Sequence, residues 1–190
     1  MANKTQQQIR DEIGAHIEVG EVFTIQGARI LWPNFSGAAD KYNSEGDRNF
    51  NLHLTKEQAD ELAAAGWNVK CKFPRPEEST EEQEERCVLK VTLKFRDRQG
   101  ELKKNPPQIT MIGNRSRNRT MLGEDLAGLI DASEIVEADV SWVPYFWESA
   151  SGIGVAAYLR KLYVVVQEDE LDEKWGTPQL QEGESHGVTQ

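Results

Sequence analysis

The chain has 190 residues, with 22 Lys and Arg against 32 Asp and Glu, a net charge of −10, 38% hydrophobic residues and a pI near 4.9. That is the length of one domain, or of one domain and a tail, and it excludes collagen-like, coiled-coil and disulfide-scaffold classes. No stretch approaches the roughly 20 apolar residues of a membrane span, the opening Met1-Ala2-Asn3-Lys4-Thr5-Gln6 lacks the order of a signal peptide, and Cys71 and Cys87 stand alone; a soluble intracellular protein with neither a disulfide framework nor a structural zinc site is expected.

Residues 1–19 form an N-terminal extension. Val22 to Trp32 is rich in β-branched and aromatic residues and reads as a strand, with Gly27 where it could bend sharply and Pro33 at its end. Arg48 to Leu54 alternates, placing Phe50, Leu52 and Leu54 on one face. Thr55 caps a helix over Lys56–Ala65 that stops at Gly66. Trp67–Phe73 and Arg86–Arg96 follow as strands, separated by an acidic run through Glu77, Glu78, Glu81, Glu82, Glu84 and Glu85 that reads as a solvated loop. Gln108–Gly113 is a short strand, Leu126–Ile130 a helical turn, and Ile135–Trp147 and Gly154–Gln167 are strands joined by a hairpin loop. Residues 20–167 therefore predict a mainly β domain, a small curved barrel with one inserted helix, with a β-sandwich as the alternative. Ile25, Leu31, Phe50, Leu52, Leu54, Leu62, Val69, Leu89, Val91, Leu93, Phe95, Ile109, Val140, Leu159 and Val165 are its expected core. Residues 168–190 form an acidic tail whose composition predicts disorder.

The net charge argues against a nucleic-acid partner only until it is mapped along the chain. From Arg86 to Arg119 ten basic residues face two acidic ones, a net of +8, whereas Gln167 to Gln190 holds one lysine and seven acids, a net of −6. Catalytic signatures are missing: there is no phosphate-binding loop, no dinucleotide fingerprint, no Gly-x-Ser-x-Gly and no His-Glu-x-x-His. His16, His53 and His186 are scattered and read as surface polar residues, and adjacent acids such as Glu124-Asp125 are expected in an acidic chain. No enzyme is predicted.

What remains is basic side chains interleaved with aromatic ones on strands. Single-stranded nucleic acid is held this way, phosphates by Lys and Arg and unpaired bases by flat rings, at about 1–3 kcal/mol per stacked base. Lys90, Lys94 and Arg96 share one face of their strand. Trp142 and Phe146 fall on one face of the Val140–Trp147 strand and Tyr145 and Trp147 on the other; a small barrel buries one pair and exposes the other. In the Gly- and Asn-rich loop after Pro33, Tyr42 is the mobile contact, while Trp32 reads as core. Arg115, Arg117 and Arg119 alternate in a run too polar to pack, suited to tracking a phosphate backbone.

These residues fall in a familiar pattern. Gly27-Ala28-Arg29-Ile30-Leu31-Trp32-Pro33-Asn34-Phe35, Arg48-Asn49-Phe50, Gly66-Trp67-Asn68-Val69-Lys70, Val143-Pro144-Tyr145-Phe146-Trp147-Glu148, Ala157-Tyr158-Leu159 and Tyr163-Val164-Val165 lead into an acidic end. From about Gly20 to Trp175 the chain resembles the single-stranded-DNA-binding proteins of tailed bacteriophages. The resemblance implies an oligonucleotide/oligosaccharide-binding (OB) fold and sequence-tolerant protection of single-stranded DNA during phage replication and recombination, in the cytoplasm of the infected bacterium. It implies no cofactor and an acidic tail that competes with DNA or contacts replication and recombination proteins; no membrane partner is expected, and the sequence leaves self-association open. It places DNA contacts at Arg48, Lys90, Lys94, Arg96, Tyr145 and Trp147, with Tyr158 in a matched motif. Many such proteins end on an acidic tip with a terminal aromatic residue, whereas this chain ends Ser185-His186-Gly187-Val188-Thr189-Gln190. An acidic DNA mimic that inhibits a host enzyme and a non-catalytic virion component are the competing readings; the basic segment disfavours the first, and the second needs no such segment.

Overall fold

Strand β1 (Phe23–Ile25) and strand β2 (Arg29–Asn34) are the two halves of one predicted strand, broken where the sequence places its bend. Gly27 adopts φ +62°, a left-handed conformation that glycine takes without steric cost. The structure, a computed structural model, describes residues 4–72 and 85–168. Within them lie β3 (Asn49–Leu54), helix α2 (Lys56–Ala65), β4 (Val69–Lys72), β5 (Arg86–Thr92), β6 (Gln108–Gly113), β7 (Arg119–Leu122), a 3₁₀ turn (Ala127–Ala132), β8 (Ile135–Ser149) and β9 (Gly152–Val166).

The pairing runs β1-β8-β9-β5-β3-β2, so the path begins and ends on the two arms of the bent strand. At the corner the Gly27 N–H donates to Asp139 Oδ1 (2.9 Å) and the Ala28 N–H to the Ala138 carbonyl (2.7 Å), so β8 also holds the start of β2. The sheet thereby curls into a five-membered barrel in which β5 and β9 are the parallel neighbours. This is the OB-like architecture expected from the sequence, a partly open Greek-key barrel with a helix inserted between two strands. A sandwich would instead need two separate facing layers. On the flank β6 continues the sheet along the second half of β9, and β7 pairs with β6.

Helix α2 forms as its caps dictate. The Thr55 hydroxyl accepts the Gln58 N–H and the Gln58 side chain returns to the Thr55 N–H, while Gly66 closes the other end in the left-handed region. The same signature, Thr5 with Gln8, starts a helix the sequence reading passes over, α1 (Gln6–Ile13). Its Ile9 is buried, and Gln6 pairs twice with the Phe146 backbone, donating to its carbonyl (2.6 Å) and accepting its N–H (2.7 Å). Helix α1 is therefore packed on β8.

Phe50, Leu52, Leu54, Leu89, Val91, Leu93, Phe95, Ile109, Val140 and Leu159 are buried as expected, each fully buried large side chain contributing about 1.5–3 kcal/mol. Ile25, Leu31, Leu62, Val69 and Val165 are half-buried at the barrel's margins. Three differences have identifiable causes. Trp32 is 58% exposed and lies outside the core, because a register shift between Leu31 and Asn34 and a φ of +48° turn it outward. That same bulge carries β2 through Pro33 to Asn34. Cys71 and Cys87 form a disulfide: although 16 positions apart in sequence, they stand as direct partners across β4 and β5, a proximity that only strand pairing creates. The acidic loop up to Glu84 and the tail beyond Glu168 lie outside the described residues.

Candidate nucleic-acid interface

Along β8, Ala138, Val140, Trp142, Pro144 and Phe146 are buried, so period-2 geometry sends Val143, Tyr145 and Trp147 to the outside. Trp142 stacks inside against Phe23 at 5.9 Å and meets Trp67 edge-on at 6.1 Å. The Trp67 and Trp142 indole N–H groups have no hydrogen-bond partner among the described residues, so ring packing alone offsets their burial. The division of the two aromatic pairs between faces is the one the sequence predicts.

The outward rings converge with β9 and β5. Tyr145 and Tyr158 stack at 4.6 Å with planes 7° apart, Arg98 Nη2 donates to the Tyr145 hydroxyl (3.0 Å), and Lys103 Nζ lies 5.5 Å from the Tyr158 ring centroid. Tyr158 is partly buried, and that burial, with Tyr145 beside it, pushes its hydroxyl pKa up to about 12 against the opposing pull of Arg98. Trp147 stands opposite Gly154, and a Cβ on Gly154 would come within 2.6 Å of its Cζ2, so the indole rests directly on the glycine backbone. Thr92 is the Cα partner of Tyr158, which places Lys90 and Lys94, outward on the same chain, next to the tyrosine pair. Lys90 is also the partner of Asn51 on β3. Among the described residues neither Lys90 nor Lys94 has an ion-pair partner. Arg96 differs: its Nε pairs with Glu124 (2.8 Å) and its Nη1 donates to the Gly100 carbonyl (2.9 Å).

The loop between β2 and β3 borders this face and is tied down. Asn34 Nδ2 donates to the Ala38 and Asp47 carbonyls, the Gly46 N–H to the Gly37 carbonyl, and Asp40 accepts the Tyr42 and Asn43 N–H groups. Those bonds hold the Asp40 carboxyl below its usual pKa range, with a smaller push from Lys90. Gly37, at φ +72°, faces Arg48 Cγ and the Gly46 backbone so closely that a Cβ would crowd both. Arg48 donates to the Phe35 carbonyl and lies over the Phe95 ring at 5.8 Å, bracing the loop. Tyr42, 82% exposed, projects from this frame.

Arg115, Arg117 and Arg119 sit elsewhere, in and after the β6–β7 turn, with Arg117 at φ +59°. Gly113 pairs with Val166, eight residues along β9 from Tyr158, or about 26 Å at about 3.3 Å per residue. At that turn the Arg115 and Ser116 N–H groups donate to Glu168 (2.9 and 2.8 Å), and the Ser116 hydroxyl joins them. These bonds, the hydroxyl's first, hold the Glu168 carboxyl below its usual range. The structure thus gathers Lys90, Lys94, Tyr145, Trp147 and Tyr158 on one face, edged by Arg48 and Tyr42. It engages Arg96 with an acid and sets the three alternating arginines apart. Arg98 and Lys103 were missed in the sequence; their signal was membership of the basic segment, but their aim at the tyrosines depends on the turn after β5.

Comparison with known proteins gives a family match over residues 15–185 to the phage ssDNA-binding domain. No curated protein matches the chain in sequence. Among solved structures the chain is similar to the single-stranded DNA-binding protein from bacteriophage Enc34 in complex with ssDNA (10% identity, TM-score 0.48, 78% of this chain and 88% of that one). It is also similar to a C-terminal truncation of that protein (10%, 0.47, 78% and 87%) and to gp2.5, a single-stranded DNA binding protein encoded by bacteriophage T7 (14%, 0.37, 90% and 99%).

Proposed function

The chain belongs to the phage ssDNA-binding domain family, and from that premise we propose that its β8-β9-β5 outer face binds single-stranded DNA without regard to sequence, protecting it during phage replication and recombination in the infected cell. Bases stack on Tyr145, Tyr158 and Trp147, and phosphates run beside Lys90 and Lys94, with Arg48, Arg96 and Tyr42 at the margin and Arg115, Arg117 and Arg119 extending the path. The protein acts by binding, with no cofactor and no bond made or broken. The acidic tail competes with DNA for the basic surface at low salt; contact with replication or recombination proteins is the alternative role. The observation that carries the reading is the pair of lysines without ion-pair partners among the described residues, beside a stacked tyrosine pair on one solvent-facing sheet surface. Both ingredients of single-strand recognition are then within reach of one extended strand.

The test is a fluorescence or gel-shift titration with oligo-dT and with duplex of equal length across a salt series. Single strands bind more tightly, because stacking needs unpaired bases, and affinity falls as salt rises, because phosphate contacts release counterions. Equal affinity for both forms, unaffected by salt, refutes the reading.

A further inference from the structure

The outer face of β9 does not end at Tyr158. Past Arg160, where pairing to β8 is irregular, Leu162, Val164 and Val166 are buried and Lys161, Tyr163 and Val165 continue on the solvent side. Tyr163 is 38% exposed, with Lys161 Nζ 5.9 Å from its ring centroid, repeating the cation-beside-ring arrangement of Lys103 and Tyr158. Strand pairing sets Tyr163 beside Asp139 and Val165 beside Glu137 on the β8 side, and Val165 beside Ile112, whose other neighbour is Arg119, on the β6–β7 side. The result is an open trough of about 400 Å³, with Tyr163 and Val165 on its floor, Arg117 and Arg119 on one wall, and Glu137 and Asp139 on the other. Asp139 is already engaged by the Gly27 N–H, whereas neither the Arg117 nor the Arg119 guanidinium has an ion-pair partner among the described residues.

We propose that this trough is a second station for the same single strand of DNA: after the Tyr145–Tyr158 platform the strand follows β9, stacks a base on Tyr163 and lays its phosphates against Lys161, Arg119 and Arg117. The inference rests on the function proposed above and extends it. The two walls fix the strand's orientation. Carboxylates repel phosphate and accept hydrogen bonds, so the backbone lies on the arginine wall and base edges point toward Glu137 and Asp139. The station also joins the otherwise separate arginine run to the platform. From Gly154, under Trp147, to Val165 is 11 residues, about 36 Å, enough for on the order of six extended nucleotides, whereas the platform alone spans about 13 Å.

Length dependence separates the two stations. Affinities for oligo-dT of about 4 and about 16 nucleotides are measured at low salt for the unmodified chain, Tyr163→Ala, Tyr163→Trp, Arg119→Gln and Tyr145→Ala. Tyr163→Ala weakens the long oligonucleotide about ten-fold and changes the short one less than about two-fold. Tyr163→Trp, which keeps a flat ring, restores the long-strand affinity. Arg119→Gln makes the salt slope shallower by about one for the long strand only. This last variant, on an exposed strand position, carries the test even if Tyr163→Ala folds poorly. Long-strand binding unchanged in both Tyr163→Ala and Arg119→Gln overturns the second station, as does an equal loss at both lengths. Tyr145→Ala weakens both lengths if the platform reading holds; no effect at either length means that the platform reading itself has failed.

Discussion

Tyr145 and Tyr158 lie face to face, ring centroids 4.6 Å apart and planes 7° from parallel, although neither is the other's direct strand partner: Tyr145 stands opposite Ala156 and Tyr158 opposite Val143. The small Ala156 leaves room for the diagonal contact, Arg98 holds the Tyr145 hydroxyl, and Lys103 lies over the Tyr158 ring. Two rings are thus held in a fixed mutual orientation on the barrel before any ligand arrives, which lowers the ordering cost of binding.

The two faces of β8 should respond to mutation in opposite ways. Tyr145→Ala or Trp147→Ala lowers oligo-dT affinity by about 1–3 kcal/mol with the fold retained. Trp142→Ala, which empties a site only 1% exposed, costs about 3–5 kcal/mol of stability instead. Gly154→Ala belongs with the first group, because its methyl displaces the Trp147 indole and not the core. Thermal melts and titrations of the four variants check this; unfolding of Tyr145→Ala alongside tolerance of Trp142→Ala reverses the assignment of faces.

Pattern made part of this legible. The period-2 alternation of Leu89, Val91, Leu93 and Phe95 against Lys90, Thr92 and Lys94, and the caps at Thr55 and Gly66, are local signals, and the structure repeats them. What depends on which strands become neighbours was not legible. Arg96 belongs to the basic ladder in sequence, but Glu124, 28 positions away, is brought beside it only by the fold. Arg115 to Arg119 look continuous with Lys90 and Lys94 on a charge map, yet β6 carries them to the far end of β9. The Cys71–Cys87 bond is a fact of register in the same sense.

Charge reversal should discriminate between cations with and without an acid partner. Lys90→Glu and Lys94→Glu each weaken binding to all sequences alike and make the salt slope shallower by about one. Arg96→Ala does less, since its guanidinium is shared with Glu124 and the Gly100 carbonyl. Slopes of log affinity against log salt give the answer; an unchanged slope for both lysine variants moves the phosphate path away from β5.

Stability should fall in alkali through Tyr158. Its hydroxyl is pushed up to about 12 in the folded chain, whereas an unfolded tyrosine titrates near about 10. The unfolded chain therefore loses its proton first as pH rises, so this contribution is intact below about 10 and is lost on the way to about 12. Denaturant midpoints of the unmodified chain should drop across that window, and those of Tyr158→Phe, which has no hydroxyl to ionise, should drop less. Equal declines in both proteins assign the effect to other groups.

The last prediction concerns the tail, whose first acid is anchored where the arginine run begins. Glu168 accepts the Arg115 and Ser116 N–H groups and the Ser116 hydroxyl, and the segment that follows holds Asp169, Glu170, Asp172 and Glu173. An anion is thus already seated on the β6–β7 turn where the arginine run begins, and a DNA phosphate arriving there competes with it. Such competition is electrostatic and fades once salt shortens the screening length to about 8 Å or less. Replacing Glu168, Asp169, Glu170, Asp172 and Glu173 by Gln or Ser should raise oligo-dT affinity strongly in dilute buffer and weakly at high salt. Truncation after Trp175, which removes only Glu182 and Glu184, should do much less. Acid should act in the same direction on the anchor: the Glu168 carboxyl titrates below its usual range, so the contact is complete above the ordinary carboxylate pKa and is lost as pH falls through the lowered one. Glu168→Gln separates the anchor from the run that follows it. If that single change reproduces the whole gain at low salt, the seated carboxylate is the competitor; if only the full neutralisation does, the diffuse charge of the segment is. No gain from either variant at low salt leaves the tail without a shielding role and makes recruitment of other proteins the better account of its charge.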